Sequence, residues 1–194
     1  MRSTECPSSY CHANIMLLLN IVVECHVVAA NCSIEVLTYS ANGLANSCTP
    51  KEGRVKVNGV PAWQAAWCAN GIFPDLRGVN TLLVDPFNCY VQESRHFDTH
   101  VSASNAIALS NYLQQLSSGS IIVGVSADEP RTRLDDALAT LQQLGVEVSD
   151  VQIRGSFAFI VQKGFLVNTV LRKVLTEAES YSNPAQFNAA ITGI

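Results

Sequence analysis

The sequence lacks the features that mark several common classes of protein. Its 194 residues carry a formal net charge of −4 without a basic cluster, so no charge pattern for nucleic acid is present. No apolar run reaches the roughly 20 residues that a membrane-spanning helix needs. No CxxC pair and no GxSxG, GxGxxG or GxxxxGK motif occurs. We therefore expect no nucleic-acid partner, no membrane insertion of the mature chain, no cofactor, no metal site and no enzymatic activity.

The N-terminal segment has the pattern of a removed signal peptide. Ile15 to Val23 is an apolar run of the length of a signal-peptide core, and Arg2 precedes it. Val28 to Ala30 supplies small residues for a cut before Asn31. We interpret residues 1–30 as a signal peptide, which predicts a secreted, extracellular protein; the alternative is a buried helix of the domain.

Cleavage at that point leaves four cysteines, Cys32, Cys48, Cys68 and Cys89. An even number in an oxidising compartment predicts two disulfides, although three connectivities are possible. We favour Cys68 with Cys89, which leaves Cys32 with Cys48. Asn31 begins a glycosylation sequon, but it lies at the cut site beside a half-cystine.

The central stretch runs from Arg77 to His100 and predicts a β-hairpin. A β-branched and aliphatic run over Val79–Val84 stops at Asp85, and a second β-rich run covers Cys89–Phe97. The segment between them contains Pro86 and Asn88, of which Asn88 tolerates left-handed backbone.

The remaining chain alternates strand and helix patterns. Asn58-Gly59 predicts a second hairpin, and Gly119 and Gly145 are expected to end two helices. The other predicted strands are Ser33–Ser40, Arg54–Asn58, Ile121–Val125 and Ser156–Lys163. The first helix is capped by Ser102, and its apolar face consists of Ala106, Leu109, Tyr112, Leu113 and Leu116. The second has a capping box at Thr132 and Asp135, and its apolar face consists of Leu134, Leu138, Leu141 and Leu144.

Residues 165–194 are predicted to form a C-terminal helix and tail that pack on the domain. Leu166, Val170 and Val174 recur at helical spacing, and the helix is expected to end near Tyr181. A docked helix is favoured over a partner-binding or membrane-surface helix because its polar face is not strongly basic.

Several ordered motifs over about 110 residues resemble the interleukin-like EMT inducer family, which includes cytokine-like secreted proteins and the stem domain of protein O-mannose N-acetylglucosaminyltransferase 1. The matching motifs are Arg77-Gly78-Val79-Asn80, Leu83 to Pro86, Arg95 with Phe97-Asp98-Thr99, Gly119-Ser120-Ile121, Leu141 to Gly145, and Ser156 to Phe159 with Lys163-Gly164.

The resemblance implies an α/β (α+β) fold in which two twisted, mainly antiparallel sheets pack with helices in a single compact domain, here residues 31–164. It also implies a polar groove without catalytic groups. In the transferase stem an aspartate and an arginine of that groove bind N-acetylglucosamine, and their positions fall on Asp128 and Arg154. In such a pair the carboxylate can accept hydrogen bonds from sugar hydroxyls, and the planar guanidinium can donate hydrogen bonds to sugar oxygens.

This chain departs from the stem at two positions, since Gly155 replaces an aspartate and Phe157 replaces a tryptophan. Phe157 is nevertheless a candidate stacking surface for a sugar. The alternative for Asp128 and Arg154 is an ion pair that closes the groove. Trp63 and Trp67 are either a second stacking pair or a shield for a disulfide.

Two further constellations are considered. His96, Asp98 and His100 share one strand face and could ligate zinc. Asp98 with Asp128 could form the separated carboxylates of a glycosidase. We expect neither, because Asp98 is predicted to bond turn amides ahead of Ser102.

The sequence thus predicts a secreted, lectin-like, non-catalytic domain that binds glycans or glycoproteins through Asp128, Arg154 and Phe157. The alternative is a secreted, cytokine-like protein ligand that docks on a cell-surface receptor or matrix protein.

Overall fold

The computed structural model describes residues 31–38, 51–67, 76–164, 169–176, 179 and 184–192. The elements of this part, in chain order, are β1 (Asn31–Thr38), β2 (Lys51–Val57), β3 (Val60–Trp67), β4 (Gly78–Val84), β5 (Val91–Phe97), α1 (Ala103–Gln115), β6 (Ile121–Ala127), α2 (Asp135–Gln143), β7 (Ser156–Gln162), β8 (Thr169–Leu175) and β9 (Ala185–Thr192). The predicted signal peptide lies outside the described residues.

The strands form two antiparallel sheets. One has the order β3-β2-β1-β9, and the other has the order β5-β4-β6-β7-β8. Together with the two helices they form a compact domain, which confirms the fold class expected from the resemblance. No helix in the described part of the chain is long and apolar enough to cross a membrane.

Two hydrophobic cores make the fold a three-layer structure. The first lies between the sheets and contains Ile34 and Val36 of β1 with Leu82 of β4 and Val123 of β6. The second lies between the five-stranded sheet and the helices. The five-stranded sheet is therefore the middle layer, buried on both faces.

This burial explains why β6 reads as an uninterrupted apolar run. Every residue of Ile121–Ala127 is buried, with Val123 toward the other sheet and Ile122 toward the helices. Gly124 is required by close packing, since a Cβ there would lie 2.2 Å from the ring of Phe159 on β7. The strand prediction for this segment is confirmed.

Both predicted helices are present, but only one has the predicted cap. The Ser102 side chain accepts the N–H of Ser104, as expected for the start of α1. α2 has Leu134 at its N-cap without a side-chain hydrogen bond, so the predicted capping box at Thr132 is wrong. α2 begins at Asp135, so Thr132 lies two residues before the N-cap, where the carboxylate of Glu129 accepts its N–H.

The Asn58-Gly59 hairpin is confirmed, because β2 pairs with β3 and both turn residues have positive φ values, 50° and 77°. The turn after β4 differs from its prediction. Cys89, not Asn88, is its left-handed residue, with φ of 59°. The side chain of Asn88 accepts the N–H of Tyr90, and the N–H of Cys89 donates to the carbonyl of Asp85 at 2.9 Å.

Cys32 and Cys89 form a disulfide, so the favoured pairing of Cys68 with Cys89 and Cys32 with Cys48 is wrong. The bond joins β1 of one sheet to the turn after β4 of the other. It spans 57 positions in sequence, and only the packing of the two sheets makes these cysteines neighbours. Cys48 and Cys68 lie outside the described residues.

The predicted C-terminal helix is wrong, because β8 and β9 are strands. β8 pairs with β7 and β9 pairs with β1, each at an edge of a sheet. The spacing of the apolar residues in β8 is compatible with both a helix and a strand. The segment forms a strand because it pairs with the edge of β7. β9 has an alternating pattern of burial that sequence reasoning missed. Ala185 and Ile191 are buried, whereas Gln186, Asn188 and Ala190 are exposed.

Candidate functional site

The candidate site lies where β6 and β7 separate. Their pairing ends at Val125 opposite Ala158, whereas β6 stays paired with β4 as far as Ala127 opposite Gly78. Beyond this point, the N–H of Phe157 donates to the Oγ of Ser126 at 2.8 Å. The segments that leave this end of the sheet therefore meet around residue 128.

Asp128 is the first residue after β6 and has left-handed backbone, with φ of 58°. Its side chain is half-buried. Burial raises the pKa of the Asp128 carboxyl above its usual range; the charge of Arg77 opposes this and that of Glu129 adds to it. The site thus holds a carboxylate that is partly removed from water.

Arg154 lies in the turn before β7 and is also left-handed, with φ of 60°. Its backbone N–H donates to the carboxylate of Glu129, and its charge acts on Asp128. Two non-glycine residues in this rare conformation therefore lie in facing loops of the same site. Such strained residues persist only where the surrounding structure holds them.

Glu129 is the group that joins the two loops. It is 4% exposed, and its carboxylate accepts the N–H groups of Arg131 at 2.7 Å and Thr132 at 3.1 Å in addition to that of Arg154. Backbone donors thus replace water around a buried carboxylate. Sequence reasoning noted Glu129 only as the neighbour of Asp128 and missed this role, because the donor that joins the two loops, the N–H of Arg154, lies 25 positions later.

Arg77 and Asp98 form the opposite wall. The Arg77 guanidinium donates to both carboxylate oxygens of Asp98, at 3.2 and 2.9 Å. Asp98 also accepts the N–H groups of His100 and Val101, which confirms its predicted role at this turn. Burial of Asp98 by itself favours the neutral acid, but the hydrogen bonds from Arg77 and the turn amides outweigh it and lower the pKa of Asp98.

His100 adds a group that the sequence did not assign to this site. Its Nδ1 is buried without a hydrogen-bond partner among the residues that the structure describes, and its charge acts on Asp128. Thr99 fixes this turn, because its Oγ1 donates to the carbonyl of Pro130 at 2.7 Å and its carbonyl accepts the N–H of Arg133. The loops after β5 and β6 are therefore held together.

Phe157 does not fit its predicted part in the site. It is 1% exposed and lies in the core beneath the helices, with its ring stacked on Phe159 at 6.2 Å between centroids. A ring in this position is inaccessible to a sugar, so Phe157 as a stacking surface is wrong. The residue faces inward because it alternates with Ser156 and Ala158 on a strand buried on both sides.

The tryptophans give no stacking pair in the described part. Trp63 is buried in the core between the sheets, in the same hydrophobic cluster as Cys32 and Cys89, so its ring is not available for stacking on a sugar. The side chain of Trp67 lies outside the described residues. The apolar groups exposed next to the polar site are instead Ile153, which precedes Arg154, and Val101, which follows His100.

Gly155 is set by the packing of β8. A Cβ at this position would lie 2.8 Å from the carbonyl oxygen of Leu175. An aspartate of the kind that the transferase stem carries there would require this edge of the sheet to move. The departure from the stem pattern is therefore built into the backbone of the site.

Two of the three candidate zinc ligands, His96 and Asp98, make contacts within the domain. Among the described residues, no three His, Cys, Asp or Glu side chains come together in a group that could hold a metal ion. His96 contacts the carbonyl of Arg77, and both oxygens of Asp98 are engaged by Arg77. Asp128, Arg154 and His100 present acceptors and donors beside exposed aliphatic side chains, which suits a polar, uncharged ligand.

The comparison with known families agrees with this geometry. No curated protein matches the chain. Residues 77–165 match the family model described as interleukin-like EMT inducer, and this range contains both sides of the candidate site and the whole five-stranded sheet except β8. Over this part of the chain, residues 77–165, the protein is therefore similar to the interleukin-like EMT inducer family.

Proposed function

We propose that the protein is a secreted, non-catalytic, lectin-like domain that binds glycans or glycoproteins, with N-acetylglucosamine-type sugars as the first candidates. One observation carries the proposal. Asp128 and Arg154 both have left-handed backbone and lie in facing loops that the buried carboxylate of Glu129 joins. The fold maintains two strained residues and a desolvated carboxyl at one place, a combination that is common at binding sites.

The roles of the residues follow from their chemistry. Asp128 accepts hydrogen bonds from sugar hydroxyls, and Arg154 donates to hydroxyl or acetamide oxygens. Arg77 and Asp98 hold the wall behind them and are positioning residues. The apolar face of the sugar is covered by Ile153, which is 60% exposed, since Phe157 is buried.

The alternative, a cytokine-like ligand for a receptor, requires an apolar contact surface. Of the large apolar side chains exposed in the described part, those on β3, α1 and β8 occur singly, and the two aromatics, Phe87 and Tyr90, lie close together in sequence after β4. Single exposed apolar residues are normal on protein surfaces. Glycan binding at the polar site is therefore the better-supported function. The test below also distinguishes it from binding to a receptor.

The test is a glycan array with the oxidised, purified protein beside Asp128→Asn and Arg154→Ala variants. Asparagine suits the first position because it tolerates the left-handed backbone and removes only the charge. We expect a coherent set of bound glycans that both variants lose while their unfolding curves stay cooperative. No binding to any glycan, or binding that both variants retain, would overturn the proposal and favour a protein ligand.

A further inference from the structure

A second binding site lies at the other end of the five-stranded sheet. β4 runs from Gly78, opposite Ala127, to Val84, opposite Ile121, so the turn after β4 is about 20 Å from the end of β6 that carries Asp128. Here a cleft of about 460 Å³ separates the turn from the C-terminal end of α1. We propose that this cleft binds a neutral saccharide, independently of the Asp128 site.

The first wall of the cleft is the turn Asp85–Cys89, which is held from three sides. The N–H of Asp85 donates to the carbonyl of Tyr90 at 2.8 Å. The Asp85 carboxylate accepts the N–H of Phe87 at 2.7 Å. Cys89 is joined through its disulfide to β1 of the other sheet. The ring of Phe87 thus projects from a fixed backbone.

The second wall is the loop 117–120, which is tied to the end of β7. The N–H of Gly119 donates to the carbonyl of Lys163, and the N–H of Lys163 donates to the carbonyl of Ser120 at 2.9 Å. The Lys163 ammonium donates to the carbonyls of Gln114 and Leu116 at 3.2 and 2.5 Å, which fixes the end of α1. Both walls are preorganised, so a ligand need not order them.

Apart from the Asp85 carboxylate, the groups that line the cleft are neutral. No lysine, arginine or histidine is present among its described lining residues, and the single carboxylate, Asp85, already accepts from the Gln92 side-chain amide at 3.0 Å. The remaining polar lining consists of hydroxyls and amides, from Gln92, Gln115, Ser117, Ser118 and Ser120. An anionic ligand would find no counter-charge among the described lining residues, whereas sugar hydroxyls can both donate to and accept from such groups.

Phe87 supplies the apolar surface. It lines the cleft and is 51% exposed, so part of the aromatic side chain is accessible to a ligand. An aromatic face beside several neutral donors and acceptors matches the alternating apolar and hydroxyl-bearing surfaces of a pyranose ring. The cleft volume lies within the range of small-molecule sites.

Nuclear magnetic resonance titration of the oxidised protein tests the proposal. The probes are methyl β-glycosides of glucose, galactose, mannose and N-acetylglucosamine at millimolar concentration, and an uncharged tetrapeptide serves as comparison. At least one glycoside is expected to shift the backbone amide signals of residues 117–120 and the side-chain amide signals of Gln92 and Gln115 in a saturable way. The absence of saturable shifts with every glycoside, or shifts with the peptide alone, would overturn the proposal.

Matched variants locate the site. Phe87→Ala is expected to weaken binding about tenfold, and Gln115→Ala, at an exposed helix position where alanine is well tolerated, about threefold. Tyr90→Ala removes an aromatic that directly follows the same turn, is more exposed than Phe87 (71% against 51%) and does not line the cleft; it should leave the affinity unchanged. Asp128→Asn should also leave the affinity of the cleft unchanged. The proposal for the cleft and the proposal for the Asp128 site can therefore be contradicted independently. Unaltered binding by both Phe87→Ala and Gln115→Ala would contradict the assignment.

Discussion

At one end of the five-stranded sheet, Asp128 lies among Glu129, His100, Arg77 and Arg154, with a carboxyl that burial makes harder to ionise. At the other end, the turn after β4 and the end of α1 face each other through hydroxyl and amide groups. The same sheet holds both. The first end is fixed by ionic hydrogen bonds and the second mainly by a disulfide and backbone hydrogen bonds, so pH and redox conditions should act on different ends.

Loss of the disulfide should have the largest effect. Cys32→Ser with Cys89→Ser frees a loop that spans 57 positions, and closing a loop of this length contributes about 2–5 kcal/mol. We expect urea unfolding to show a loss of this size in the free energy of unfolding. The turn that carries Phe87 should loosen, while the Asp128 end keeps its glycan binding. An unchanged free energy of unfolding, or an equal loss of binding at both ends, would contradict the view that the disulfide stabilises mainly the end with the cleft.

Arg77→Gln should have the next largest effect, at the charged end. The substitution removes both hydrogen bonds from the Arg77 guanidinium to a largely buried Asp98, at a cost of about 1–3 kcal/mol. Because the folded state lowers the pKa of Asp98, this stabilisation is present above the unfolded pKa of the carboxyl and is lost as the pH falls through the folded value. Unfolding series of both proteins should therefore converge at acid pH; a constant difference would contradict the ion-pair account.

Lys163→Gln tests the end of the sheet that carries the cleft. The Lys163 ammonium donates to the last carbonyls of α1, an arrangement that contributes about 1 kcal/mol. We expect a loss of that order by thermal unfolding, with line broadening confined to residues 114–120. Lys173→Gln on the edge strand β8 is the matched control, since that side chain is exposed. Equal effects of the two substitutions would show that Lys163 contributes only as a surface charge.

How far the sequence predicted these two ends depends on the range of the interactions. The helices, the Asn58-Gly59 hairpin, β6 and β7 follow from local periodicity and turn chemistry, and the turn-bonding role of Asp98 follows from its position before Ser102. The placement of Asp128 and Arg154 in one site came only from the family resemblance, since no local signal links residues 26 positions apart.

The errors have physical causes of the same kind. β8 and β9 add to sheet edges that become available only in the folded protein, so helical spacing in that segment misled the prediction. The cysteine pairing depends on how the two sheets stack. Phe157 is predicted as a stacking surface, but it lies on a strand that is covered on both faces. The continuous apolar run Phe157–Val161 is the sequence signal of such a strand.

Asp128→Asn should have the smallest effect on stability, and of opposite sign. Because the folded state raises the pKa of Asp128, the stability contribution of this carboxyl falls as the pH rises through the interval between its unfolded and folded values. The asparagine variant lacks this loss, so it should be more stable than the parent at neutral pH by less than about 1 kcal/mol and no more stable at acid pH. A pH series of thermal unfolding measures the difference.

The most direct test of the proposed binding site combines that stability with affinity in one variant. Using the best glycan from the array, binding and unfolding of the parent and of Asp128→Asn are measured at neutral pH. The account predicts that binding is lost while stability is equal or higher, because the carboxyl is held for a ligand at the expense of the fold. Lower stability with unchanged binding would contradict it and make Asp128 a structural ion-pair partner of the neighbouring loops.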